Sequence, residues 1–349
     1  METLDYEETA DDYRRQIFDL TTMLEIGKTL NASLSLSDVL DIVKLTCNGH
    51  FHASDVYLML PEERNGQEYF SYTSGDMNIE LGPDHPLLQF VKEEQGAILL
   101  DTLKKNEDLK DTYKTLHENA IELIVPLRFK YQINGILCLA KKEKSFGVRY
   151  TNEETRYIDI IAGFASVAIE NARLYEIATL DRKTGLYNHG FFQNRLVEEI
   201  ERAERYKTDL SLMILDLDHF KRINDSHGHM MGDDVLMRVA HTIKDKIRTF
   251  DIPARFGGEE FTVILPETDD RSSLVVAERL RTSIEELKFK APKKGFTVTT
   301  SIGVATYGHS ADITEDMFID QADRALYHAK ENGRNLVVQY ADIAERVKT

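Results

Sequence analysis

Two groups of carboxylates in this chain are better explained by chemistry than by packing. The first lies in Arg255-Phe256-Gly257-Gly258-Glu259-Glu260-Phe261. Residues 252–256 and 261–265 read as strands, which puts the glycines in a tight hairpin where positive φ and close approach of a ligand to the backbone are permitted. Adjacent carboxylates repel each other, yet together they suit a hard divalent cation. Taken alone, this is no more than an acidic turn. The second group, Asp216 and Asp218, follows the apolar run 210–215, which reads as a strand buried on both faces. Carboxylates at the end of a central strand, opposite a hairpin that also carries them, point to phosphoryl transfer assisted by two metal ions.

The elements that must position these groups follow from the hydrophobic period. After residue 181 the pattern predicts helix 191–206, strand 210–217, helix 233–248, strands 252–256 and 261–265, helix 272–287, strand 296–305, helix 316–331 and strand 335–340. Leu236, Val239, Ile243 and Ile247 give the second helix an inward face. Earlier, Ile17, Leu20, Leu24, Gly27 and Leu30 mark an amphipathic helix, and Ser35 with Asp38 forms a capping box that opens another. Strands are expected at 54–60, 68–73, 123–130 and 136–140, with Asn134-Gly135 as the turn of a hairpin. A long helix follows over 152–180. Its apolar stripe, including Ile161, Phe164, Ala168, Ala172 and Tyr175, reads either as packing within its own domain or as a parallel two-chain seam.

Composition narrows the class. With 349 residues, 42% hydrophobic and 30% charged, the chain suits two globular domains rather than a disordered segment. The net charge of −17, concentrated before residue 181, leaves no basic stripe for a nucleic acid. No apolar run approaches the roughly 20 residues that span a bilayer, so no membrane partner is expected. The acidic N-terminus resembles no targeting peptide. Cys47 and Cys138, in apolar surroundings, read as reduced core residues of a cytoplasmic protein.

Over 181–340 the chain resembles the GGDEF-family diguanylate cyclases in their Gly-Gly-Glu-Glu-Phe form. The resemblance rests on the hairpin, on Asp181-Arg182-Lys183-Thr184-Gly185-Leu186-Tyr187-Asn188, on Asn224-Asp225-x-x-Gly228-His229-x-x-Gly232-Asp233, and on the closing run from Asp323 to Asn335. Upstream, Pro126-Leu127, a polar turn and Gly135-Ile136-Leu137-Cys138-Leu139 resemble the late hairpin of GAF domains, more closely than the related PAS fold. The fold class expected is therefore α/β (α+β): a GAF-type antiparallel sheet with flanking helices, then a ferredoxin-like βαββαβ nucleotidyl-cyclase palm. The domains expected are 1–15, an acidic flexible N-terminus; 16–155, a GAF sensory domain with an N-terminal dimerisation helix; 156–180, a helical signalling linker; and 181–349, the cyclase. Two positions depart from the family pattern, Lys183 for Leu and His189 for Arg, and both are placed at the hinge rather than in the chemistry.

The resemblance also implies roles. Asp216, Glu259 and the carbonyl of Leu217 would bind Mg²⁺ or Mn²⁺, two ions per active site. Glu260 would be a second-metal ligand or would help deprotonate the attacking 3′-hydroxyl. Asp218 is read as structural. Lys221, Lys330 and Arg334, the last two taken as four apart on one helix face, would compensate phosphate charge, and Lys221 is also counted with Glu260 as catalytic. Phe220, Asn224 and Asp233 would line the guanine site. His227 and His229 read as turn residues rather than as a metal site. Arg248 and Asp251, with Arg279 contributing, match the family's product-binding inhibitory site.

The implied reaction condenses two GTP into cyclic di-GMP and two diphosphates across a homodimer, under control of the GAF module and of the product. A purine cyclic nucleotide such as cAMP is the first ligand expected for that module. Two alternatives stay open: a non-catalytic cyclic di-GMP receptor using Arg248 and Asp251, and a mixed GMP-AMP dinucleotide synthase with a relaxed base site.

Overall fold

The computed structural model describes residues 2–346 except 65, 75–76, 95, 144, 146–148, 291–294 and 308–312. It contains two compact units, Met1–Glu176 and Ile177–Thr349.

The first unit runs α1 (Glu2–Ala32), α2 (Leu36–Phe51), β1 (Val56–Arg64), β2 (Gln67–Ser74), β3 (Met77–Leu81), α3 (Pro86–Glu93), β4 (Ile98–Leu99), α4 (Lys110–Glu118), β5 (Ile121–Phe129), β6 (Gln132–Ala140) and α5 (Asn152–Thr179). The strands form an antiparallel sheet in the order β3-β2-β1-β6-β5-β4. Alternate side chains divide between two cores. Leu58, Leu137 and Leu139 face Val39, Val43 and Cys47 of α2 and Ile158, Ala165 and Ile169 of α5. Met59, Ile136 and Cys138 face Leu87 and Val91 of α3 and Leu116 of α4. Both thiols are free and buried, and burial pushes each up to about 12.

α1 is helical from Glu2 onward, and no Gly or Pro interrupts the chain before Gly27. One expectation for this unit is corrected. Asn134-Gly135 is not a turn. Phe129 pairs with Gln132, so the hairpin turns at Lys130-Tyr131, with Lys130 at φ +55. Asn134 lies within β6, at a register shift. Its buried amide donates to the Ser166 carbonyl and accepts from the Ser166 hydroxyl, both at 2.9 Å. An unpaired amide there would cost about 1–3 kcal/mol, so the α5 contact, not turn chemistry, accounts for the asparagine.

The second unit runs α6 (His189–Tyr206), β7 (Leu210–Leu217), α7 (Phe220–His227), α8 (His229–Lys246), β8 (Ile252–Arg255), β9 (Glu260–Pro266), α9 (Asp270–Glu285), β10 (Thr300–Tyr307), α10 (Glu315–Glu331), β11 (Val337–Gln339) and α11 (Tyr340–Arg346). Its sheet is ordered β11-β10-β7-β9-β8. β7 is antiparallel to both neighbours, and β11 adds in parallel beside β10. Four of the strands, with α8 and α9 as crossovers, make the βαββαβ palm, and β7 sits at its centre.

Every residue of β7 is buried because both faces are covered. Met213, Leu215 and Leu217 pack towards α8 and α9. Leu210, Leu212 and Ile214 pack towards α6 and α10. The two-residue period of a strand then puts Asp216 on the α10 face. Gly303 on β10 lets α10 lie against the sheet: a Cβ there would stand 2.1 Å from the Ala322 carbonyl and 2.2 Å from the Leu326 nitrogen. That close seat brings the C-terminal end of α10 to the carboxylates. Among the described residues, no helix is long and apolar enough to cross a membrane.

Candidate active site

The carboxylates meet because of strand register. Asp216, at the end of β7, stands directly opposite Glu260, the first residue of β9, and the Leu217 amide donates to the Glu259 carbonyl at 3.3 Å. Cross-strand partners share a face, with Cβ atoms about 5 Å apart. Asp216 and Glu260 therefore point the same way, with Glu259 in the turn just before. The Lys330 ammonium, from the last turn of α10, sits 2.8 Å from Asp216 Oδ2.

Asp216 is 9% exposed, so it is not the solvent-facing group that its place at a strand end implies. Burial pushes its carboxyl up, and Lys330 offsets this only in part. Burial likewise raises Glu259 and Glu260, and the charge of Asp216 raises both further. Three acidic groups thus crowd around one ammonium, an arrangement relieved by added positive charge.

Among the described residues, no group of three or more His, Cys, Asp or Glu side chains is closed enough to hold a metal by itself. The donor set nonetheless fits Mg²⁺, which usually takes one or two carboxylates and completes its shell with water and substrate phosphate oxygens. Asp218 belongs to the framework instead. Its Oδ1 accepts from the Ser301 hydroxyl at 2.7 Å, and its Oδ2 accepts from the Thr299 hydroxyl at 2.7 Å and the Asn335 amide at 3.0 Å.

The hairpin differs from its sequence reading. Neither Gly257 nor Gly258 adopts the left-handed region. Gly257 leaves room for the Glu260 carboxylate: a Cβ there would stand 2.7 Å from Glu260 Oε2 and push that side chain aside. The hairpin carbonyls are held by Arg255, a residue that motif reasoning passed over. Its Nε donates to the Gly257 carbonyl at 3.1 Å and its Nη2 to the Gly258 carbonyl at 2.8 Å. The signal was available in the sequence, because an arginine two residues before a glycine pair can chelate the turn it opens.

Around the next corner, Asn224 lies midway along α7 and Asp233 just past the first turn of α8. Gly232 brings them together: a Cβ there would fall 1.9 Å from Asn224 Oδ1 and 3.2 Å from the Phe220 ring. Phe220 is buried in the core under α8, and Lys221 is exposed. His227 stacks on Phe296 at 4.6 Å. Lys183, placed at a hinge by sequence, in fact reaches this corner, with its ammonium 2.5 Å from Asp233 Oδ1. His189 also lies closer to the hairpin than expected, its ring edge-on to Phe256 at 4.7 Å. Arg334 does not share a helix face with Lys330. α10 ends at Glu331, and Arg334 follows at φ +62, its amide bonded to the Ala329 carbonyl.

Arg248 is exposed after α8, whereas Asp251 is 7% exposed and accepts from the Arg248 backbone amide at 2.8 Å. Burial raises the Asp251 carboxyl, while that hydrogen bond and the charges of Arg248 and Arg279 pull the other way. Both residues line a cleft of about 690 Å³ with Tyr187, Arg195, Arg202 and Phe250. The two added arginines flank buried Glu199, Arg195 at 2.6 Å and Arg202 at 3.9 Å.

A central carboxylate strand, an acidic hairpin and a closing lysine on a βαββαβ sheet define a nucleotidyl-cyclase palm. The family model of the GGDEF diguanylate cyclase domain matches residues 178–336. Diguanylate cyclase A of Treponema denticola is 33% identical over 333 residues, covering 93% of this chain and 89% of that protein. Diguanylate cyclase DgcP of Pseudomonas aeruginosa is 41% identical over 226 residues, 62% of this chain and 33% of its own length. The solved coiled coil and GGDEF domain of DgcB from Caulobacter crescentus, in complex with c-di-GMP, is 29% identical. It covers 54% of this chain and 100% of that one, with a TM-score of 0.49. This chain belongs to the GGDEF diguanylate cyclase family, enzymes of nucleotidyl transfer.

Proposed function

We propose that the chain condenses two GTP into cyclic di-GMP, with Mg²⁺ or Mn²⁺, two ions per site, as the metal. The observation that carries this reading is the register of Asp216 with Glu260, closed by Lys330. Two GTP, one from each subunit of a homodimer, face each other. Each 3′-hydroxyl forms a P–O bond to the α-phosphorus of the other nucleotide, each α–β phosphoanhydride breaks, and two diphosphates leave. Asp216, Glu259 and the Leu217 carbonyl would hold the metal, which when bound would neutralise phosphate charge. Lys330 transfers its pairing from Asp216 to phosphate, and Lys221 and Arg334 add charge beside it. Glu260 would serve either as a ligand of a second ion or in taking the proton of the attacking 3′-hydroxyl, and its raised pKa suits a proton acceptor. Asn224 and Asp233 read guanine.

The order of the first sheet, with α2 and α5 on one face and α3 and α4 on the other, supports a GAF module. Ile17, Leu20 and Leu24 on α1, and Ile160, Val167 and Leu174 on α5, are exposed at near-heptad spacing, which favours helix pairing between two chains. A cyclic nucleotide such as cAMP is the first ligand to test on this module. Arg248, with Asp251 and Arg279, provides product inhibition. Incubation of the purified chain with GTP and Mg²⁺ should yield cyclic di-GMP and diphosphate, and Glu259→Gln should yield neither while still unfolding cooperatively. A parent chain that binds cyclic di-GMP but consumes no GTP is instead the receptor, and one that readily makes mixed dinucleotide from GTP and ATP has a relaxed base site.

A further inference from the structure

We propose that Lys183 is a base-reading residue that works beside Asp233, donating to O6 of the bound guanine. This rests on the reading above that Asp233 takes the guanine edge. The Lys183 ammonium lies 2.5 Å from Asp233 Oδ1, and the two side chains are 40% and 42% exposed. An ion pair this exposed adds little to stability, so structural support is a weak account of it. Its place is better explained by what the pair presents together.

Guanine offers two donors, N1–H and the 2-amino group, and beside N1–H one acceptor, O6. A carboxylate has about four lone-pair sites, so Asp233 can keep Lys183 and still accept from both donors. An ammonium has three N–H groups, and one spent on Oδ1 leaves two. At the oxygen that takes N1–H, the nearest base atom left to satisfy is O6. Adenine would set an amino group against the ammonium and a bare N1 against the carboxylate, so both contacts turn unfavourable.

Lys183 also projects from a fixed turn. Asp181 accepts from the Thr184 amide at 2.9 Å and the Thr184 hydroxyl at 2.7 Å, and the Asp181 amide donates to the Leu186 carbonyl at 2.8 Å. The lysine stem is therefore anchored at its root before any nucleotide arrives.

The test uses α,β-methylene analogues of GTP, ITP and 6-thio-GTP, in which the bond to be broken is replaced, so that binding to the full chain in Mg²⁺ is read without turnover. ITP lacks the 2-amino donor, and 6-thio-GTP exchanges O6 for a poor acceptor. The parent should favour the GTP form over the 6-thio form by about tenfold, the worth of one charge-assisted hydrogen bond. Lys183→Met should bring that ratio to about one, and Lys183→Arg should retain it. The preference over ITP should survive both substitutions. An unchanged 6-thio ratio in Lys183→Met overturns the proposal. So does collapse of the ITP ratio instead, which would make Lys183 only a positioner of Asp233. If Asp233→Ala leaves the ITP ratio unaltered, or no guanine nucleotide binds the parent, the underlying reading of the base site fails and takes this inference with it.

Discussion

The Arg255 guanidinium donates from one nitrogen to both carboxylate oxygens of Asp181, at 3.1 and 3.2 Å, while its other nitrogens hold the Gly257 and Gly258 carbonyls. One planar group thus joins the turn after α5 to the hairpin that carries Glu259. The tie is reinforced by backbone: the Arg255 amide donates to the Tyr187 carbonyl at 2.8 Å, and the Tyr187 amide donates to the Pro253 carbonyl at 3.2 Å. Burial raises the Asp181 carboxyl, but Thr184 and Arg255 outweigh it and hold it below the usual range.

Arg255→Lys keeps the charge and loses the fork, so it separates geometry from electrostatics. It should lower kcat about tenfold, because the hairpin carbonyls lose two donors, and cost about 2 kcal/mol of stability. Asp181→Asn should cost a similar amount, and the double variant less than the sum. The Asp181 contribution is present above the ordinary carboxylate value of 3.8 and is lost as pH falls through its depressed one. Urea melts of all three variants with parallel GTP turnover check this; additive losses would mean that the two residues act separately.

Gly232→Ala addresses the base site. Its Cβ would collide with the Asn224 amide at 1.9 Å, and alanine is otherwise welcome in a helix. Asn224 must swing away, so KM for GTP should rise about tenfold with kcat and melting temperature nearly unchanged. An unchanged KM would show that Asn224 does not touch the base.

Much of the palm was legible because β7 and its helices bury apolar faces with clear periods. β7 lies at 210–217 as its apolar run requires, and Asp216 and Glu259 are found where motif and strand end place them. What escaped depends on contacts between distant segments. α7 carries only Phe220 and Ile223 as apolar residues, too short a stripe to betray a helix, and its end is set by Gly228 at φ +85. The Asn134 bulge is fixed by Ser166 from α5, which no local rule reveals. Lys183 and Arg255 looked like hinge and turn residues because their partners, Asp233 and Asp181, lie 50 and 74 residues away.

The crowded carboxylates predict a pH response of definite sign. Asp216, Glu259 and Glu260 are all raised, so the folded chain without metal binds more protons than the unfolded chain above the ordinary values of 3.8 and 4.5. Stability should therefore fall as pH rises through that window, and Mg²⁺ with GTP should restore it. Glu259→Gln should flatten part of the slope. Turnover should run the other way and be lost on acidification, because protonated groups bind no metal. A chain without metal that gains stability as pH rises through this window would contradict the clustering of these charges.

Product inhibition should depend on Arg248 rather than on Asp251 directly. The Asp251 carboxylate is turned inward onto the Arg248 amide, so its first task is to hold the arginine's backbone. Arg248 is exposed and lines the 690 Å³ cleft, as does Phe250, whose side chain is 81% exposed. A planar, bidentate cation suits a guanine edge or a phosphate of cyclic di-GMP. The other arginines of the cleft are less available, because Arg195 and Arg202 both pair with buried Glu199. Arg248→Ala should raise the cyclic di-GMP concentration needed for half-inhibition at least about tenfold, the worth of one charge-assisted hydrogen bond, and leave the uninhibited rate untouched. Asp251→Asn keeps an oxygen to accept from the amide and should raise it less. Initial rates against added cyclic di-GMP measure both. Superimposable curves for Arg248→Ala and the parent would place the inhibitory site elsewhere, and a stronger effect from Asp251→Asn would make the carboxylate, rather than the guanidinium, the group that meets the ligand.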